Sequence, residues 1–282
     1  MMLLVDAGNT RIKWRIVAER VLLASGSLPG AQVAELEAQW RSYGLTRAVL
    51  SCVASAAIQA CLAEMLARLG VAAHWLHPER LNYGIHNLYD TPGQLGADRY
   101  AALIAAARLK LGHSVVVSVG TATTVDMLSM NHEFLGGVII PGPDLMRAAL
   151  LNGTGQIENR MRARDASPFH DAARAAPDLQ AWPRDTDTAV AMGIGLAQAG
   201  AVQAVCERMP CTPDQPLWLI LTGGARGALR DWLTIHPHGG AQVQLVEIED
   251  LVLEGLAWVA LELASLECGA LEQSEQEGSN QA

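Results

Sequence analysis

The sequence predicts an α/β protein of two related domains, and three observations carry this. Apolar strand-like runs alternate with helical patterns along 282 residues, half of them hydrophobic, as expected of sheets flanked by helices. The opening motif LLVDAGNTR at residues 3–11 is echoed by VVVSVGTATTVD at 115–126, with Gly8 and Gly120 offset by 112 positions. One α/β unit per half follows from that echo, and the length suits two moderate cores. The predicted domains are 1–112 and 113–268, with 269–282 a polar, disordered tail.

Taken in order, MLLVDA reads as a buried strand, GNTR as a turn and IKWRIV as an alternating second strand, a hairpin over 2–18. Helical patterns follow over 31–42 and 54–69, separated by the strand RAVLSCV at 47–53. A turn-rich loop at 82–96 leads into ADRYAALIAAARLKL, a helix of Ala, Leu and Arg. The second half opens with the strand HSVVVSVG, its partner TATTVDML and a third strand FLGGVIIPG. Charged, Pro-containing residues 153–184 read as surface helix and loop, 188–209 as a long helix with small residues at Gly193, Gly195 and Gly200. LWLILTGGAR is a strand entering a glycine turn, and 251–266 an apolar helix.

Composition excludes several classes. A net charge of −9, with lysine only at Lys13 and Lys110, argues against nucleic-acid and membrane-surface partners, which require clustered cations. Five cysteines without a CxxC pair indicate free thiols rather than a disulfide framework or zinc site. Asp6 and the polar GNTR interrupt the apolar N-terminus too early for a signal peptide or membrane span, so a cytoplasmic location is expected.

The chemistry concentrates at glycine turns. After the first strand, Gly8 leaves backbone N–H groups open to a phosphate, Asn9, Thr10, Arg11 and Lys13 add polar groups, and Asp6 is a hard oxygen donor suited to hydrated Mg²⁺. Alone, DxGNT is equally an ordinary hairpin turn. The second turn, GTATT with Asp126 beyond it, changes the balance, because a nucleotide clamped between two domains needs one phosphate-sized turn from each. LTGGAR adds a glycine pair that could approach a base or ribose. YDTPGQLGADR at 89–99 places a phenol, a carboxylate and a guanidinium around a helix start, where N–H groups favour an anion. GIGLAQAG has the wrong glycine spacing for a dinucleotide fingerprint, no GxxxxGK[ST] occurs, and His236 and His238 lack further metal ligands.

Together these elements resemble the type III pantothenate kinases of the actin, sugar-kinase and heat-shock-chaperone ATPase superfamily. The likeness covers residues 3 to about 256, in order: DAGNTRIK, YDTPGQLGADR, GTATTVD, GGVIIPG, Thr188 opening a helix, LTGGA and DLVLEGLA. It implies a duplicated actin-like ATPase (ribonuclease H-like) fold with a nucleotide cleft between two domains. It implies transfer of the ATP γ-phosphate to the primary hydroxyl of pantothenate, giving 4'-phosphopantothenate, the first step of coenzyme A biosynthesis. By the same resemblance Asp6, Ala7, Gly8, Asn9, Thr10, Arg11, Ile12, Lys13 and Thr121 bind ATP, with Asp6 near Mg²⁺. Tyr89, Gly96, Ala97, Asp98 and Arg99 bind pantothenate, Asp98 accepts the hydroxyl proton, and Arg99 can hold the pantothenate carboxylate. The family implies a homodimer with a shared active site, to which Thr188 of a partner subunit contributes.

One residue departs from the pattern. At Ser118 the family usually carries an Asp associated with a monovalent cation, K⁺ or NH₄⁺. A hydroxyl removes a formal charge from that position, so the expectation is weaker cation binding or loss of its role with activity retained. A kinase of the same superfamily acting on another hydroxyl is disfavoured by GADR and YDTP. A catalytically weak regulatory homologue that keeps the fold and nucleotide site is the alternative that Ser118 supports.

Overall fold

The computed structural model describes residues 1–19, 21–153, 182–237 and 240–279. Contacts divide the chain into two units: Met1–Ile85, Asp90–Arg108 and Val252–Ala282 form the first, His86–Tyr89 and Leu109–Leu251 the second.

In the first unit, β1 (Met2–Ala7), β2 (Arg11–Ala18) and β3 (Val21–Pro29) form an antiparallel meander. β4 (Arg47–Cys52) and β5 (Ala72–Trp75) add in parallel, giving the order β3-β2-β1-β4-β5. The expected hairpin is present, and β3 extends it. β3 escapes a periodicity reading because most of it is exposed.

The helix expected over 31–42 is a 3₁₀ turn Gly30–Glu35, a short α1 (Leu36–Trp40) and a second turn Arg41–Tyr43, interrupted at Gln32 with φ −101°. It still buries Leu36 and Trp40, and Trp14 meets Trp40 edge-to-face with centroids 6.2 Å apart. α2 (Ala56–Arg68), capped by Ser55, presents Leu62, Met65 and Leu66 at helical spacing to Leu3, Val5 and Leu50.

The other face of this sheet meets α3 (Ala97–Arg108), a helix buried from Tyr100 to Ala107. The last helix, taken up below as α7 (Leu251–Ser279), closes on α3. A Cβ at Gly255 would overlap the Ala101 carbonyl, so glycine is what lets the two backbones touch. Arg15–Glu254 at 2.5 Å and Arg108–Glu262 at 2.9 Å tie the same helix down. This close approach is why α7 counts with the first unit, whereas a break at residue 112 puts it with the second. The tail expected to be disordered is helical through Ser279, because ALEQSEQEGS is rich in the helix formers Ala, Leu, Glu and Gln.

Between these pieces lie the short strands β6 (Leu81–Asn82) and β7 (Ile85–Asn87). The second unit repeats the meander with β8 (Ser114–Val119), β9 (Ala122–Leu128) and β10 (Glu133–Pro141), and adds β11 (Leu217–Thr222) and β12 (Val243–Glu247) in parallel. Its order, β12-β11-β8-β9-β10, is the first sheet read again, with His86 and Asn87 paired to β10. The dipeptide Pro-Gly ends each meander, at Pro29-Gly30 and Pro141-Gly142, again 112 residues apart. In both copies that glycine N–H donates back to the hairpin turn, Gly30 to Thr10 O at 3.0 Å and Gly142 to Thr121 O at 2.9 Å.

Among the described residues this unit also contains the helices α4 (Pro143–Gly153), α5 (Thr186–Cys206) and α6 (Arg226–Arg230). Val202, Val205 and Cys206 of α5 pack on Val115, Val117, Leu219 and Leu221. Among the described residues α5 alone is long and apolar enough to cross a membrane by length and composition, and 39% of that stretch is buried in the protein. Most of 153–184, expected to be surface helix and loop, lies outside the described residues, as does His238. Cys52, Cys61, Cys206 and Cys211 are free thiols, and burial pushes Cys206 up to about 12.

Candidate active site

In the first unit the site is built at the carboxyl ends of β1 and β4. Asp6, half-buried, stands opposite Lys13 on β2 and Ser51 on β4. The turn after it is held by Gly8 N–H donating to Arg11 O at 3.1 Å, and Asn9 Nδ2 donates to Val53 O at 3.1 Å. Asn9, Thr10 and Arg11 are exposed at the tip, and Arg11 Nε donates to Ser27 Oγ at 3.0 Å. Ala7 and Ile12 are fully buried core residues, so of the predicted nucleotide-binding run these two can present backbone only.

Val53 is also where the start of α3 arrives: a Cβ at Gly96 would lie 3.7 Å from Val53 Cγ1 and 2.5 Å from Asp98 Oδ1. With no side chain at Gly96, the Asp98 carboxylate folds back over the helix start and accepts the Arg99 N–H at 2.8 Å. A carboxylate in the first turn is favoured by the free N–H groups and the helix dipole. Arg99 is 6% exposed, so only an edge of its guanidinium can reach a ligand. Asp6, Lys13, Gly96, Ala97, Asp98 and Arg99 are thus gathered around one strand end.

The remaining predicted residues belong to the second unit. Gly120 N–H donates to Ala122 O at 3.0 Å, leaving Thr121 exposed at the tip of the turn. Ser118 sits on a rung of hydroxyls, opposite Thr124 on β9 and Thr222 on β11. Thr222 Oγ1 is committed, donating to Glu249 O and accepting the Leu251 N–H, both at 3.2 Å. Asp126 is 2% exposed, opposite Val116 and two residues along from Thr124. Gly223 follows β11 at φ +91°, where a Cβ would overlap the Val119 carbonyl, and this permits the sharp LTGG turn.

The Tyr89 ring packs tilted against Phe134 with centroids 5.0 Å apart, and its backbone N–H donates to Asn87 Oδ1 at 3.1 Å. Thr188 lies in the first turn of α5, which begins at Thr186, and is held by Asp185, with Thr188 Oγ1 donating to Asp185 Oδ2 at 2.8 Å. That turn borders a cavity of about 870 Å³ lined by Pro141, Met146, Leu150, Asp185 and Val190. Sequence reasoning missed Ser51, 0% exposed and opposite Asp6, whose Oγ has no hydrogen-bond partner. A lone serine in a strand has no sequence signature; only the register reveals its neighbour.

Among the described residues no group of three or more His, Cys, Asp or Glu could hold a metal ion. Mg²⁺ carried in with a nucleotide takes one or two carboxylates plus phosphate oxygens rather than an all-protein cage. Asp6, with a buried hydroxyl lacking a partner beside it, offers that kind of donor set.

A repeated meander with two parallel additions, and a glycine turn at the head of each copy, is the fold of the actin and sugar-kinase superfamily. A protein from Sinorhizobium meliloti described as a 2-dehydro-3-deoxygalactonokinase shares this fold, with a TM-score of 0.58 at 16% identity, over 93% of this chain and 99% of that one. The chain belongs to the type III pantothenate kinase family, whose profile matches residues 2–208. Relatives bearing that name include one from Azoarcus sp. (strain BH72), 40% identical over 95% of this chain and 94% of its own length. Another, from Aromatoleum aromaticum, is 39% identical over 94% of this chain and 100% of its own length.

Proposed function

We infer that this protein transfers the γ-phosphate of ATP to the primary hydroxyl of pantothenate, giving 4'-phosphopantothenate for coenzyme A biosynthesis. Family membership over nearly the whole chain supports the reaction. The single structural observation that supports the roles is the Asp98 carboxylate at the start of α3, in the same unit as Asp6 and its glycine turn.

Asp98 orients the pantothenate hydroxyl and takes its proton as the oxygen attacks. Arg99 meets the pantothenate carboxylate at its exposed edge, with Gly96 leaving room beside it, and Tyr89 is the pantothenate-binding residue of the second unit. Backbone N–H groups from Gly8 to Arg11 and the Lys13 ammonium hold phosphate in the first unit, and the Thr121 hydroxyl is the phosphate-binding group of the second. Mg²⁺, when bound with ATP through Asp6, neutralises charge on the phosphate oxygens. A coupled assay with ATP and pantothenate tests the reading, with Asp98→Asn as control. Turnover by the wild type and a loss of about 10²-fold or more in the variant are expected, and no wild-type turnover overturns the reading.

The rung at Ser118 offers hydroxyls and no carboxylate, and the Thr222 hydroxyl on it is already used. This donor set fits K⁺ or NH₄⁺ poorly, so activity persists with little monovalent-cation dependence. Rates in potassium, sodium and choline salts should be similar; strong potassium activation overturns this. We further propose a cytoplasmic homodimer in which Thr188 serves the partner's pocket. Exposed Thr188 and the exposed, apolar Leu196 on α5 support it, and light scattering on the purified protein tests it.

A further inference from the structure

We propose that Ser51 is a positioning residue for Mg²⁺-ATP, its hydroxyl donating to the Asp6 carboxylate when that carboxylate engages the metal. The proposal rests on the ATP reading above. Ser51 is 0% exposed and its Oγ has no partner, an arrangement that costs stability and persists where something else uses the group.

Its place in the sheet says what that is. Ser51 and Asp6 are directly paired on the parallel strands β4 and β1, so their side chains leave the same face. Neighbouring strands lie about 4.8 Å apart, which puts the hydroxyl within one χ1 rotation of the carboxylate. The second sheet supplies the control: Thr222 occupies the equivalent place beside Ser118, and its hydroxyl is fully engaged by Glu249 and Leu251. At this matched pair of positions, the hydroxyl beside the carboxylate is the one without a partner. A carboxylate held by a donor on one oxygen keeps the other aimed at the metal, the usual function of a hydrogen bond behind a ligand.

The test is equilibrium binding of adenylyl imidodiphosphate, a non-hydrolysable ATP analogue, to the full chain across a Mg²⁺ titration, with thermal midpoints of the free proteins. For Ser51→Ala the expected result is an unchanged or higher midpoint and unchanged metal-free nucleotide affinity. The Mg²⁺ concentration for half-maximal binding should rise about tenfold, the value of one hydrogen bond to a charged group. Ser51→Cys, with a weaker donor of similar size, should fall between. A Mg²⁺ dependence equal to wild type in both variants overturns the proposal. So does an equal weakening with and without metal, which marks a purely structural role. Wild-type protein that binds the analogue without regard to Mg²⁺ overturns the ATP reading itself, and Ser51 with it.

Discussion

At the end of β1, Asp6 stands between Lys13 and Ser51; at the end of β8, Ser118 stands between Thr124 and Thr222. The backbones around the two residues match: a glycine turn follows, and a Pro-Gly at the end of each third strand donates back to it. The side chains do not match. The first rung has a carboxylate, an ammonium and an unpartnered hydroxyl, and the second has three hydroxyls, one of them fully bonded. The fold thus supplies the same peptide geometry twice, and of these two rungs only the first carries a carboxylate.

Making the first copy like the second should have the largest effect. Asp6→Ser should lower kcat/KM by about 10²–10³-fold, the scale of losing one charge-stabilising group in phosphoryl transfer, with the thermal midpoint little changed; coupled assays and calorimetry measure both. Next is the turn that follows each partner strand. Gly223→Ala forces a side chain against the Val119 carbonyl at φ +91° and should destabilise by about 2–3 kcal/mol in urea unfolding. The first copy has Cys52, the last residue of β4, at the place of Gly223. Thr222→Val deletes two hydrogen bonds and leaves a buried N–H unpaired, a cost of about 1–2 kcal/mol. Ser51→Ala, at the matching place, should cost nothing. Ser118→Asp should alter choline-salt activity by less than about fivefold while introducing potassium activation, since a single solvent-screened charge is worth about 1 kcal/mol or less.

The smallest effect concerns pH. His74 in the first unit and His113 in the second are both held below the usual histidine range by burial. The unfolded chain therefore binds more protons as pH falls through the ordinary histidine value, so stability is full above it and declines below. Thermal midpoints measured from pH 7.5 to 5.5 should fall, and His113→Gln should make the fall shallower.

The sequence made the hairpins legible because strand and turn signals are local, and the 112-residue offset made the duplication legible because it needs only matching letters. β3 and β12 were not legible: VLLASGSLP and VQLVE are largely exposed strands that lack a buried periodicity. The place of Asp98 in the first turn of a helix was legible because ADRYAALIAAARLKL carries a helical composition, whereas its role came only with the resemblance. Ser51 was missed because its meaning depends on pairing with a residue 45 positions away, which no local window contains. The burial of Arg99, Ala7 and Ile12 was equally hidden, since a motif names residues without saying which way they face.

The touch between Gly255 and Ala101 also sets an order of events during synthesis. Residues 109–251 form one uninterrupted stretch, whereas the first unit needs a helix that leaves the ribosome only after that stretch has been made. The first unit must therefore wait with the side of α3 that receives α7 uncovered, a state in which exposed apolar surface invites aggregation. A premature stop before residue 252 would strand it there, so a truncated product is expected to be cleared by proteases rather than to persist as a half-enzyme.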